Sequence, residues 1–166
     1  EDLKQGSSKP PMPFSDHRLK NRLNHTVWFL PSVSSCYAMA NLLKERQNTF
    51  YSDFKIIIAA GAKAGIGAKA LPPVLEAMNP SPEHTKTITL TCEKLLTGVS
   101  VKPWTGIFML RNTTSAQRYF QSAFRVQTPW RDGDNILKEE CYVFDFAPNR
   151  TLSLVSEYCK LDTNYD

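Results

Sequence analysis

The chain lacks the features that mark membrane, secreted and zinc-binding proteins. No apolar run approaches the length that spans a bilayer, and no charged segment followed by an apolar one forms a leader. The four cysteines are widely spaced, with no CxxC pair and no histidine at zinc-ligand spacing. These absences favour a soluble, cytoplasmic protein with reduced core thiols and no metal site. The histidines His17, His25 and His84 share no spacing and are expected at the surface.

Internal repeats and a strong excess of one charge are also missing. The formal net charge of +4 is compatible with a polyanionic partner but too small to identify one. The 166 residues, 42% hydrophobic and 22% charged, are typical of one globular domain with its own core. The opening segment EDLKQGSSKPPMPFS is polar and rich in proline, like an interdomain linker. We therefore expect a linker or tail at residues 1–15 and a single domain at 16–166, as a fragment of a larger protein.

Strand-like and helix-like segments alternate along the chain. Apolar or β-branched runs predict strands at 25–30, 54–61, 86–92, 105–110 and 140–148. Amphipathic or capped segments predict helices at 17–24, 34–46, 70–79, 114–128 and 149–161. This alternation predicts an α/β fold with a mainly parallel sheet flanked by helices on both faces. Ligands are then expected at the carboxyl ends of the strands.

A helix is predicted from Thr114 or Ser115 up to Thr128, where Pro129 ends it. Its apolar residues recur at helical spacing on one face, namely Ala116, Tyr119, Phe120, Ala123 and Phe124. Polar and charged side chains occupy the other face, namely Arg118, Gln121, Ser122 and Arg125. The spacing therefore predicts a helix that packs on the core and presents a glutamine and two arginines outward.

The glycine-rich segment GIGAKA, residues 65–70, fits the GxGxxA form of a dinucleotide fingerprint. Several residues separate it from the preceding strand, and residues 86–91 offer no acid for a ribose contact. A Walker A sequence, GxxxxGK[ST], is absent. We therefore favour a structural or phosphate-contacting loop, in which Lys63 and Lys69 lie near a nucleic-acid backbone, over a dinucleotide site.

Two short motifs resemble those of superfamily 2 helicases. LLTG, residues 95–98, resembles motif V, particularly that of restriction translocases, and YFQSAFR, residues 119–125, resembles motif VI, usually written QxxGRxxR. The segment HTVWFLPSVSSC resembles the motif IV strand and loop. With KTITLTCEKLLTGVSV, WTGIFMLRN and ECYVFDFAPNR, it makes the chain similar to helicases linked to DNA restriction and modification, over nearly all of its length after residue 15.

The resemblance implies a three-layer RecA-like domain, the second motor domain of an ATP-dependent DNA helicase or translocase. ATP and Mg would be held mainly by a first RecA-like domain upstream in the same chain, and the isolated fragment would be inactive. The implied partners are DNA and restriction–modification subunits, without a membrane. Arg125 would be the arginine finger, and Gln121 would orient the water or the γ-phosphate. Further ATP-contacting residues would be Gly98, Ser100 and Arg118. Residues at the nucleic-acid backbone would be Ser32, Lys63, Thr91, Lys94 and Thr97.

This chain departs from the motif patterns at three positions. Phe124 stands where motif VI usually has glycine, Thr128 where it has a second arginine, and Ser100 where motif V commonly has aspartate. Arg125 is then the sole aligned finger, and Arg131 or Arg118 would have to supply a second. Two other functions stay open: a dinucleotide- or flavin-binding domain that uses GIGAKA, and a non-catalytic nucleic-acid-binding module.

Overall fold

The computed structural model describes residues 13–61, 67–92, 95 and 99–162. Their strands, in chain order, are β1 His25–Phe29, β2 Lys55–Ile58, β3 Thr87–Thr91, β4 Gly106–Met109, β5 Arg131–Asp132, β6 Asn135–Ile136 and β7 Tyr142–Asp145. The α-helices are α1 His17–Lys20, α2 Val33–Lys44, α3 Pro72–Ala77, α4 Ala116–Ala123 and α5 Pro148–Asp162. Five strands pair in parallel in the order β2-β3-β1-β4-β7, and β5 and β6 form a separate antiparallel ribbon.

Helices cover both faces of the sheet, so the fold has three layers. One core contains side chains of α2 with inward residues of the strands, including Trp28, Ile88 and Phe108. The other contains side chains of α3, α4 and α5 with the alternate strand residues, including Val27 and Ile107. Every residue of β1, β3 and β4 is buried, which explains why these strands read as continuous apolar or β-branched runs. The predicted α/β class and the predicted strands are confirmed.

The packed region begins within the segment expected to be a linker. Residues Pro13–Ser15 form a 3-10 turn, and Phe14 is only 3% exposed. Its ring lies within 6.4 Å, centroid to centroid, of five other aromatic rings: Trp28, Phe50, Tyr51, Phe54 and Phe108. A side chain buried this completely fixes the turn on the α2 side of the sheet.

One local structure differs from the sequence prediction. No helix was predicted between residues 92 and 105, and no described residue between β3 and β4 is helical. No strand was predicted at 131–139, but this segment contains the β5–β6 ribbon, whose two-residue loop begins with Gly133 at φ 55°. Glycine at the first central position is typical of a type II′ hairpin turn.

The prediction that all histidines lie at the surface is wrong for His25. This side chain is 1% exposed, and its Nδ1 and Nε2 lie 2.9 Å from Thr87 Oγ1 and 2.7 Å from the Pro82 carbonyl oxygen. Burial lowers the pKa of His25, more than the Pro82 bond raises it. A buried imidazole is tolerated here because both ring nitrogens have partners.

Candidate functional site

The order of the strands creates a crevice at the carboxyl ends of β1 and β4. The connection that follows β1 leads through α2 toward β2, whereas the one that follows β4 leads through α4 toward β7 on the opposite side. The two connections therefore diverge between neighbouring strands. Such a topological switch point is where open α/β sheets usually bind ligands.

Arg111 lies at this crevice, directly after β4. Its Nη1 donates to the carbonyl oxygen of Cys92, the residue that follows β3. Because β1 separates β3 from β4 in the sheet, the half-buried side chain crosses the carboxyl end of β1. Sequence reasoning did not select this residue. The only signal available was its position directly after a predicted strand, at the edge where ligands are expected.

Ser32 caps α2 at the same edge of the sheet. Its Oγ accepts a 3.1 Å bond from the Ser35 N–H and lies within 2.9 Å of the hydroxyls of Ser34 and Ser35. This is the usual role of a serine at a helix N-cap. The structure therefore places Ser32 where a nucleic-acid contact is expected, but with its hydroxyl already engaged in the cap.

Thr91 is fully buried, with 0% exposure, and its hydroxyl donates a 2.9 Å bond to the Ala59 carbonyl oxygen. This position corrects the expectation that Thr91 faces a phosphate, because its polar atom lies inside the sheet. The remaining predicted residues of this loop region, together with the glycine-rich loop, fall mostly outside the described residues: Lys63, Lys94, Thr97 and Gly98. Lys69 and Ser100 are described, and both are exposed.

The helix expected from Thr114 or Ser115 is α4, and Ser115 caps it by accepting from the Arg118 N–H. Its predicted faces are partly wrong. Ser122, expected outside, is 5% exposed and its hydroxyl donates 2.8 Å to the Arg118 carbonyl oxygen. Phe124, expected inside, is 45% exposed. The buried residues of α4 are Ala116, Tyr119, Ser122 and Ala123, so the face that packs on the core lies to one side of the predicted apolar face and leaves Phe124 outside it.

Arg125 was expected on the outer face, but its side chain points partly inward. It is half-buried, and its Nη1 donates a 2.7 Å bond to the Val99 carbonyl oxygen. Burial lowers the pKa of the Arg125 guanidinium, which nevertheless stays protonated at neutral pH. Arg125 is thus in contact with the connection between β3 and β4, one residue beyond the motif V-like segment. Arg118 is exposed and Gln121 is half-buried on the same helix.

Arg125 does not lie at the same edge as Ser32. Because α4 begins after the carboxyl end of β4 and runs back along the sheet, its last turn lies toward the amino ends of the strands. Lys138 Nζ confirms this position, since it donates to the carbonyl oxygens of both Val126, at 2.9 Å, and Trp104, at 3.0 Å, just before β4. The predicted residues therefore fall into two places, a carboxyl-edge crevice and the end of α4.

The described part of the chain contains no group of three or more His, Cys, Asp or Glu side chains arranged to hold a metal ion. Within the same residues, no helix combines the length and the apolar character needed to cross a membrane. A guanidinium lies at each of the two places, Arg111 at the crevice and Arg125 at the end of α4. Fixed guanidiniums suit phosphate oxygens, because their planar N–H donors match oxyanion geometry and stay charged.

No protein-family model matches this chain. The chain is similar to a Mycoplasma pneumoniae protein provisionally named as the C-terminus of a type II restriction enzyme and methyltransferase, with 36% identity over 160 residues. The matched region is 96% of this chain but 22% of that protein, so the chain spans less than a quarter of its relative. The relative's name includes no helicase or ATPase.

Proposed function

We propose that this domain is the second motor domain of an ATP-dependent DNA helicase or translocase that works with a restriction–modification system. It supplies an arginine finger to ATP held mainly, with Mg, by another RecA-like domain. The association with restriction is supported by the relative from Mycoplasma pneumoniae. The motor activity is supported by the resemblance of LLTG and YFQSAFR to motifs V and VI, within a three-layer α/β fold.

The observation that carries the proposal is the placement of Arg125. Its guanidinium is half-buried at the end of α4 and bonded to the Val99 carbonyl oxygen at 2.7 Å. A guanidinium has five N–H donors, and a freely rotating one loses conformational entropy when it is fixed in the orientation that binds a phosphate. Holding it against the backbone reduces that cost before a phosphate arrives. In the proposed cycle Arg125 shifts its bonds from Val99 toward the γ-phosphate when the two motor domains approach each other.

The separation between the carboxyl-edge crevice and the end of α4 is consistent with a motor, in which ATP and nucleic acid bind at different surfaces. The nucleotide is approached from the end of α4, whereas the crevice beside Ser32 and Arg111 is open to a nucleic-acid backbone at the carboxyl edge. Hydrolysis at one place can then change contacts at the other through a movement of the whole domain. Gln121 and Arg118, on the same helix as the finger, are the nearest candidates for additional phosphate contacts.

The test uses the longer protein that contains this domain together with a Walker A domain. Arg125→Ala should lower the rate of DNA-stimulated ATP hydrolysis by about 10³-fold, the usual effect of losing an arginine finger. DNA binding should change little, because Arg125 lies away from the carboxyl-edge crevice. Arg46→Ala is the matched control, since Arg46 is an exposed arginine beyond the end of α2. A protein that hydrolyses ATP equally well with Arg125→Ala would refute the finger, and ATP hydrolysis by the 166-residue chain alone would refute the two-domain arrangement.

A further inference from the structure

Two arginine side chains bond to the connection between β3 and β4, one at its start and one near its middle. Arg111 donates to the carbonyl oxygen of Cys92 at the start of this connection. Arg125 donates to the carbonyl oxygen of Val99, seven residues further on, at 2.7 Å. Both guanidiniums are half-buried, and they come from different elements, one from the end of β4 and the other from the end of α4.

The hydrogen bond from Arg111 connects β3 and β4 beyond the last backbone bond of the sheet, at the switch point. The backbone ladder between β1 and β3 ends with a 2.8 Å bond from the Leu30 N–H to the Thr91 carbonyl oxygen. Cys92 directly follows β3, and its carbonyl oxygen accepts a hydrogen bond from Arg111, which lies on the other side of β1. A side chain thus links β3 to β4 at the level where β1 leaves the sheet. Bonds from a charged donor to a part-buried carbonyl are among the stronger ones in proteins.

We propose that Arg111 is a positioning residue that fixes the start of the β3–β4 connection relative to β1 and β4. Arg125 fixes Val99, near the middle of this connection, relative to α4. The role of this arrangement rests on the proposed function. The two bonds hold the backbone at the carboxyl-edge crevice in a fixed position relative to Arg125, so that binding of DNA is coupled to hydrolysis of ATP. Arg111 itself need not touch ATP or DNA for this role.

The positioning is tested first on the 166-residue chain, without ATP or DNA. Cys92 is 7% exposed and Cys36 is 0% exposed, so both thiols should react slowly with iodoacetamide. Arg111→Met removes the donor and keeps a long apolar side chain. We expect the labelling rate of Cys92, followed by peptide mass spectrometry, to rise about tenfold or more, because loss of one bond to a charged group favours local opening. Arg111→Lys, which retains a charged donor, should restore most of the protection.

Urea unfolding of the same variants and the Arg46→Met variant provide the controls. Cys36 lies in contact with Cys92, so local opening at Cys92 uncovers both thiols, and the global free energy of unfolding has to be measured separately. A local effect requires the labelling rate of Cys92 to rise by more than the change in global unfolding explains. Arg46 is exposed, and its replacement should alter neither the labelling rate nor the free energy of unfolding. Unchanged labelling of Cys92 in Arg111→Met, or a rise that global destabilisation explains in full, would overturn the positioning role.

The coupling is tested in the longer protein. Arg111→Met should lower the DNA-stimulated kcat for ATP hydrolysis about tenfold while leaving the KM for ATP within about twofold, and Arg111→Lys should recover most of the loss. A stimulated kcat that is unchanged in Arg111→Met would overturn the coupling even if Cys92 becomes more reactive. A wild-type protein without any ATP hydrolysis would refute the proposed function instead, and the labelling result would still decide whether Arg111 positions this connection.

Discussion

Replacing Lys138 by methionine should detach the segment that follows the β5–β6 ribbon from the body of the domain. Lys138 Nζ donates to the carbonyl oxygens of Lys102, Trp104 and Val126, at 2.8, 3.0 and 2.9 Å. One ammonium therefore joins the segment after the ribbon to the chain before β4 and to the end of α4. Methionine preserves the apolar stem but cannot donate, so all three carbonyl groups lose this partner.

The size of the effect follows from two opposing terms. A bond from a charged donor contributes about 1.5–3 kcal/mol to the free energy of unfolding, and less where water can replace it. Two of the three bonds are part-buried and one is exposed. The ammonium is itself partly removed from water, which offsets some of the gain. We therefore expect Lys138→Met to lower the free energy of unfolding by about 2 kcal/mol at pH 7.

The decrease in the free energy of unfolding that Lys138→Met causes should grow with pH. Burial lowers the pKa of Lys138 from the ordinary 10.5 to about 8. Between these two values the unfolded chain binds more protons than the folded chain, so the contribution of Lys138 to the free energy of unfolding rises with pH. Below pH 8 the cost of burying the charge is fully present, and above the unfolded pKa it is gone. The neutral amine can still donate two of its bonds.

The assay is urea unfolding, followed by intrinsic fluorescence, at pH 7 and at about pH 9.5 for the wild type and for Lys138→Met. Comparing the two proteins at each pH cancels the titration of other groups. Lys102→Met is the matched control, since the side chain of Lys102 is exposed and only its carbonyl group takes part in the contact. A Lys138→Met protein as stable as the wild type at both pH values, or a difference that shrinks at the higher pH, would refute this account of Lys138.

Two further predictions concern packing. Phe14→Ala should lower the free energy of unfolding by about 3–5 kcal/mol, because it empties the centre of a ring cluster in which Phe14 is 3% exposed. Urea unfolding measures this change, and a variant as stable as the wild type would contradict the central place of Phe14 in the cluster. Gly106→Ala should lower the melting temperature, at a cost of about 1–3 kcal/mol, since the added Cβ would lie 2.7 Å from Leu23 Cδ2, in a side chain with 0% exposure. A Gly106→Ala protein with an unchanged melting temperature in calorimetry would show that Leu23 can move aside freely.

The sheet could be predicted from the sequence because its physical cause is local. Strands covered on both faces need apolar or β-branched residues at every position, and segments such as 86–92 and 105–110 show this directly. One helix cap was also predicted from the sequence. Ser115 was one of two candidates, and its hydroxyl accepts from the N–H three residues on. The β5–β6 ribbon was missed because each of its strands has two residues, too few to show alternation.

The faces of α4 could not be predicted as well, because they depend on how the helix is oriented on the sheet. A periodicity of 3.6 residues places Phe124 with the apolar residues and Arg125 with the polar ones. In the structure the buried face includes Ser122, within the α-helical part, and leaves Phe124 45% exposed. The buried location of His25 is a further case, since its two ring partners lie 57 and 62 residues away in the chain. Such contacts leave no signal in the local pattern.

The position of Arg111 shows which kind of functional information requires the strand order. In the sequence, Arg111 and Cys92 are 19 residues apart; Cys92 ends one predicted strand and Arg111 follows another. Only the order β3-β1-β4 shows that their strands flank β1 and that a side chain between them must cross the switch point. The helicase-like segments point instead to Arg125, which the structure places at the other end of α4. The proposed finger thus comes from a sequence resemblance and the proposed positioning residue from topology, and mutating each separately distinguishes the two proposals.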